Sequence, residues 1–291
     1  MDKQLWINIG LLGFIILLSI LLLNNGEEAN QELARLSNID QNDIVQIKVL
    51  RKDLDDFEFN KQNEIWNLTS PQHFLANSSR INTMLRLLEV ESFSQLDPNK
   101  VDLKQLGLDD PIIVMKLNDH EFKFGNTDAI DQRRYVLFDG KIHTTNDSLY
   151  QQLMTNAAFF ADTRILPENF KIESIQFPEN KIELIDGHWQ LQTLMDISPE
   201  KLKEIIFNWK NALAISASKY ELNETENQST IIVTSTNNIT IQFFIVSTEP
   251  HLILGRKDLG LQYHMGSDES GRLLLIEKEG SGTDDPVMLI N

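Results

Sequence analysis

Six histidines are the first residues to weigh for chemistry: His73, His120, His143, His188, His251 and His264. Zinc catalysis needs imidazoles or carboxylates gathered around an open coordination position. No two of these histidines stand four apart and no H-E-x-x-H run occurs, so they read as solvent-facing or hydrogen-bonded side chains. The densest acidic run, Asp53, Asp55, Asp56 and Glu58, alternates its oxygens as a calcium loop does, but the central glycine and the distant closing glutamate are missing. It reads as a hairpin tip carrying solvated charge. Arg133 and Arg134 stand side by side in an acidic chain and offer either an anion contact or a solvated turn. There is no G-x-S-x-G elbow and no phosphate-cradling glycine loop, and Gly280-Ser281-Gly282 precedes no helix. The absence of cysteine excludes disulfides, thiolate metal sites and cysteine nucleophiles. The sequence therefore assigns no catalytic, cofactor-binding or metal-binding residue, and the chain reads as a non-enzyme.

The address is more legible than the chemistry. Residues 5–23 are almost wholly apolar and uncharged, and a helix of about 19 residues rises roughly 28 Å, against a hydrocarbon core of roughly 30 Å. A signal peptide would have a shorter apolar region and a small-residue cleavage site. Here Leu21-Leu22-Leu23 runs into Asn24, Asn25, Gly26, Glu27 and Glu28, so an uncleaved transmembrane helix is expected. Lys3 and the free amine precede it, while Glu27, Glu28 and Glu32 come before Arg35, which places residues 1–4 in the cytoplasm and exports the body. No second run of that length occurs, so the topology is single-pass. The formal net charge of -17 falls on the body and repels phosphate backbones, so no nucleic-acid partner is expected.

Past a polar linker at residues 24–43, one plan is written twice. Val45, Ile47 and Val49 alternate as a strand, Phe57 and Phe59 as a second, Trp66 and Leu68 as a third. An amphipathic helix with Ile81, Met84, Leu85 and Leu88 on one face follows, with Asn77 and Ser78 as candidate caps. The order then repeats: Ile175 and Phe177, Ile182 and Leu184, an Asp186-Gly187 hairpin turn, and Trp189 and Leu191. A helix from Ser198-Pro199 displays Leu202, Ile205, Ile206 and Trp209. Ile112 to Val114 corresponds to Ile231 to Val233, and Phe122 and Phe124 correspond to Ile241 and Phe243. Each half closes with a further hairpin, one turning at Asp139-Gly140 and one running from Leu252 to Tyr263. A helix opened by Asp147 or Ser148, with Leu149, Leu153, Met154 and Ala157, is expected to end before Pro167.

The expected fold class is α+β: an N-terminal transmembrane helix, then two similar, mostly antiparallel sheet-plus-helix repeats at residues 44–166 and 167–278, and a loose tail at residues 279–291. Trp66 and Trp189 belong to the cores of these repeats.

The run Leu106-Gly107-Leu108-Asp109-Asp110-Pro111, the strand after it, Gly125 and Arg134-Tyr135-Val136 resemble the bacterial family catalogued as domain of unknown function 4340. Ile44 to Ile47, Trp66 to Leu68 and Ile172 to Ile175 fit the same resemblance, which weakens after about Lys210. It implies a bacterial protein that begins with one membrane helix, no established active site, and an association of some relatives with ABC-type transport and gliding-motility systems; with the orientation read from the flanking charges, the expected location is the bacterial inner membrane with a periplasmic body. The expected partner is a membrane protein of that kind. The alternative is a periplasmic small-molecule or glycan binding protein using the cleft between the two repeats.

Overall fold

The computed structural model describes residues 34–192, 197–221 and 229–274, with Ile15 and Ser19 singly. Apart from those two, the expected span at residues 5–23 lies outside the described residues, as do the linker up to residue 33 and the tail at residues 279–291. Among the described residues no helix is long and apolar enough to cross a membrane.

The first half holds β1 (Ala34–Arg35), β2 (Gln46–Arg51), β3 (Phe57–Gln62), β4 (Ile65–Ser70), β5 (Phe74–Leu75), β6 (Glu91–Ser92), β7 (Ser94–Leu96), β8 (Ile113–Leu117), β9 (His120–Thr127), β10 (Arg134–Phe138) and β11 (Lys141–Thr145). The second holds β12 (Ile172–Gln176), β13 (Lys181–Ile185), β14 (His188–Gln192), β15 (Ser216–Lys219), β16 (Thr230–Ser235), β17 (Thr240–Ser247), β18 (Ile253–Arg256) and β19 (Leu261–His264). Helices α1 (Ser78–Leu85), α2 (Tyr150–Leu153), α3 (Pro199–Asn211) and α4 (Glu269–Leu273), with four short 3-10 turns, complete the described elements. The architecture is thus mostly antiparallel sheet with a few helices.

One nine-stranded sheet runs β5-β4-β3-β2-β8-β9-β10-β11-β7, and one eight-stranded sheet runs β14-β13-β12-β16-β17-β18-β19-β15. From β4 in one and β14 in the other, the two orders coincide strand for strand. In each, a short strand from the stretch of chain after the capped helix, β7 or β15, closes the far edge. Alternation explains the register, because every second residue faces the core. Leu68, Phe59, Ile47 and Leu117 form one cross-strand row, and Phe57, Val49, Met115 and Phe122 form the next. Ile182, Ile175, Val233 and Ile241 form the equivalent row in the second sheet. All of these side chains are buried.

Each sheet buries its apolar face under its helix. The Asn77 side chain caps α1 by accepting from the Arg80 N–H at 3.2 Å, and Ser198 caps α3 with Pro199 at the first helical position. Leu202, Ile205, Ile206 and Trp209 lie on the buried stripe of α3, each stabilising the fold by about 1.5–3 kcal/mol. Trp209 also donates its indole N–H to the Leu273 carbonyl at 2.8 Å, which docks α4 onto α3. The Asp139-Gly140 and Asp186-Gly187 turns both take positive φ at both residues, as two-residue hairpins require.

Two expectations are corrected. Val45 lies outside β2 and is exposed, because the chain enters the strand from a 3-10 turn at Gln41–Asp43 and Ile44 takes the buried position instead. The helix expected from Asp147 shrinks to the four residues of α2, followed by a separate 3-10 turn at Ala157–Phe160. Asp147 does not cap it, since its carboxylate is taken by Arg134, and Asn156 starts the second turn by accepting from the Ala158 N–H at 2.9 Å.

Candidate functional site

The two sheets are joined through backbone. On one side of the segment 160–165, the Asn77 N–H donates to the Phe160 carbonyl at 2.7 Å and the Asp162 N–H donates to Leu75 at 2.8 Å. On the other side, the Ala214 N–H donates to Thr163 at 2.8 Å, and Arg164 and Leu213 form an antiparallel bridge. This segment is therefore an extended connector, bonded through isolated bridges to the edge of the first sheet and to the chain leading into β15.

A cavity of about 210 Å³ opens at the joint, lined by Phe74, Asp162, Arg164, Arg256 and Tyr263 among others. Its ionic groups already have partners. Arg164 binds Asp162 at 2.6 Å and Glu168 at 3.0 Å, and Arg256 holds Asp258 through two nitrogens at 2.9 and 2.7 Å. Hydrogen bonding from Arg256 lowers the Asp258 pKa against the opposing effect of burial. Tyr263 is 3% exposed, and burial, with Asp162 and Asp258 nearby, pushes its hydroxyl up to about 12 despite the Arg256 charge.

The residues singled out for chemistry fall in unrelated places. Asp53, Asp55 and Asp56 sit at the β2–β3 hairpin tip, and Asp56 accepts from the Arg51 N–H at 2.8 Å. Among the described residues no three His, Cys, Asp or Glu side chains gather closely enough to hold a metal ion. His143 is buried against Ser92, with Nδ1 to Oγ at 2.9 Å, and burial lowers its pKa. His264 Nε2 meets Ser218 Oγ at 2.9 Å. Arg134 is not a solvated turn residue: it is 8% exposed, grips Asp147 with two nitrogens, donates to the Gly125 carbonyl and lies 3.5 Å from the centre of the Tyr150 ring. Arg133 instead covers the Phe93 ring at 3.8 Å.

The turn that precedes β8 has a physical reason for each glycine. Gly107 has φ of +68°, a conformation that L side chains rarely adopt. A Cβ on Gly125 would collide with the Leu106 carbonyl and stand 2.9 Å from Leu108 Cγ. The Asn126 N–H donates to that carbonyl at 2.7 Å, so the turn is laid flat against β9. The family model described as Domain of unknown function (DUF4340) matches residues 66–251, which include this turn. The chain belongs to the DUF4340 family. Neither a curated protein nor a solved structure matches it. The match starts at Trp66 in β4 and ends at His251, just before β18, so it takes in most strands of both sheets of this DUF4340 chain and the segment that connects them.

A second concavity in the DUF4340 chain is larger, about 440 Å³, and lies between the β3–β4 hairpin, the Gln41–Asp43 turn and α1. Its lining is polar: Gln41, Lys61, Ser78, Asn82, Arg86 and Glu89 surround Trp66. Nothing in the spacing of these residues announces the groove, because three separate stretches of chain supply it. The second half of the DUF4340 chain also exposes large apolar side chains where α3 ends, at Phe207 (64%), Leu213 (60%) and Ile215 (71%).

Proposed function

We propose that this chain is a single-pass, membrane-anchored extracytoplasmic module that binds a protein partner without catalysing a reaction, as an accessory of an ABC-type transport assembly in a bacterial inner membrane. The observation that carries the reading is the exposed apolar group at Phe207, Leu213 and Ile215. Leu213 and Ile215 alternate with buried Ala212 and Ala214, so both point outward from one extended segment. Exposed large apolar side chains, where they gather into one patch, mark contact sites, and these three lie within nine residues of chain around the end of α3. The apolar run at residues 5–23 supplies the tether, and tethering raises the effective concentration of a membrane partner. We further read the two sheets as copies of one duplicated unit, supported by their coincident strand orders.

The test is co-purification of the full-length protein from native membranes in mild detergent, with a photo-crosslinking residue at position 207. A membrane protein crosslinked at that position and lost on Leu213→Glu supports the reading; repeated recovery of the uncrosslinked chain alone overturns it. The cavity at the joint between the halves, about 210 Å³, falls below the roughly 300–1,000 Å³ of ordinary ligand pockets.

A further inference from the structure

We propose that residues 287–290, the apolar run Val287, Met288, Leu289 and Ile290, dock on the exposed apolar surface at Phe207, Leu213 and Ile215 of the same chain. The run itself lies outside the described residues. What the described chain supplies is the surface and the point from which the run is tethered.

Helix α4 brings the chain to that point. The Leu273 carbonyl accepts from the Trp209 indole N–H at 2.8 Å. Arg272 binds Asn208 in both directions, its carbonyl accepting from Asn208 Nδ2 and its Nη2 donating to Asn208 Oδ1, each at 3.2 Å. Phe207 is the residue before Asn208. A little upstream of α4, the His264 carbonyl accepts from the Ile215 N–H at 2.9 Å. The described chain therefore stops, at Leu274, against the last turns of α3 that carry Phe207.

The length fits. Residues 275–286 separate that point from the run; about 12 residues reach about 40 Å when extended and hold their ends about 19 Å apart as a coil. A short tether of this kind gives an effective concentration in the millimolar range, so a few apolar contacts suffice for docking.

The chemistry fits as well. From Glu277 to Asp285 the sequence is polar, with Gly280-Ser281-Gly282 in the middle, so the four apolar residues stand apart from the apolar end of α4. Asp284 and Asp285 lead into them. On α3, Lys203 and Lys210 stand four residues before and three after Phe207, on the same face. Both are exposed, and among the described residues neither forms a salt bridge, while Glu204 between them is held by Lys201 at 3.0 Å. In a chain of net charge -17 the apolar surface is thus flanked by two available cations, opposite in sign to the carboxylates beside the run.

The experiment is photo-crosslinking of the full-length chain in lipid nanodiscs, with no other protein present and a photo-crosslinking residue at position 288. Equal amounts of 14N and 15N protein, mixed before reconstitution, separate adducts within one chain from adducts between copies. The expected result is an adduct within one chain between position 288 and residues 203–215. Leu289→Glu, outside the described residues, and the pair Phe207→Glu with Ile215→Glu, both exposed, are each expected to lower its yield about tenfold. Adducts that join different copies, adducts to lipid alone or scattered over both sheets, or a yield indifferent to either variant overturns the proposal. Docking of the run and binding of a membrane protein concern the same surface but fail separately: the first is read here without a partner, the second by crosslinking from position 207 in native membranes.

Discussion

Gln72 and Gly260 meet across the joint between the two sheets, the amide Nε2 of one donating to the carbonyl of the other at 3.4 Å. Gly260 has φ of +63°, and a Cβ there would collide with Gln72 Nε2 and stand 3.0 Å from Cδ. Two residues separated by 188 positions are thus fitted to each other at a point where the halves touch.

Gly260→Ala is expected to destabilise the protein by about 1–2 kcal/mol, from positive φ and lost fit together. Urea denaturation measures it. Adding Gln72→Ala is expected to recover part of that loss, because the clash disappears while the backbone strain stays; strict additivity of the two changes would refute contact across the joint.

Arg134→Ala is expected to cost about 3 kcal/mol, since it strands a partly buried carboxylate and empties the space over Tyr150. Asp147→Asn keeps the shape and an acceptor oxygen and is expected to cost less. Equal melting temperatures for Arg134→Ala and the parent protein would place this arginine outside the folding core.

Acid weakens the fold through His143. Burial holds its folded pKa below the ordinary 6.5, so as pH falls past that value the unfolded chain takes up the proton first. Stability therefore falls below pH 6.5 and the loss ends once pH drops past the folded pKa, with a slope of at most about 1.4 kcal/mol per pH unit from this group. His143→Asn, measured by denaturant unfolding from pH 7 to 5, is expected to flatten that slope.

Alkali acts through Tyr263. Its folded pKa stands at about 12 against an ordinary 10.0, so the unfolded chain loses its proton first as pH rises past 10. Stability is then lost progressively between pH 10 and about 12. Tyr263→Phe removes this limb; a parent protein whose unfolding free energy is level across that window contradicts the burial of the hydroxyl.

A chain beginning at residue 25 is expected to remain in solution and monodisperse, whereas the full-length protein partitions into membranes and resists carbonate extraction. Carbonate release of the full-length protein would remove residues 5–23 as an anchor.

Local physics wrote the strands, the caps and the hairpin turns into the sequence. Period-two alternation marked Ile47, Phe59, Leu68 and their counterparts as one buried face, because neighbouring residues on a strand point to opposite sides. Asn77 and Ser198 read as caps because a short polar side chain is the nearest acceptor for the first free N–H groups. Asp139-Gly140 and Asp186-Gly187 read as turns because few other pairs tolerate two positive φ angles. The linking helix was misread because Asp147 has two possible uses, a local cap or a bond to Arg134, and the stronger use depends on a residue thirteen positions away that folding alone brings near.

The joint and the groove were decided by tertiary structure. The segment 160–165 carries no pattern that names it the connection between the sheets; its partners at Leu75, Asn77 and Ala214 come from different parts of the chain. Trp66 could be read as core from its spacing, and it is buried. That it borders a polar groove depends on the Gln41 turn, the Lys61–Glu64 hairpin and α1 meeting around it. Periodicity records which way a side chain points from its own strand or helix, and contact between distant stretches exists only once the chain has folded.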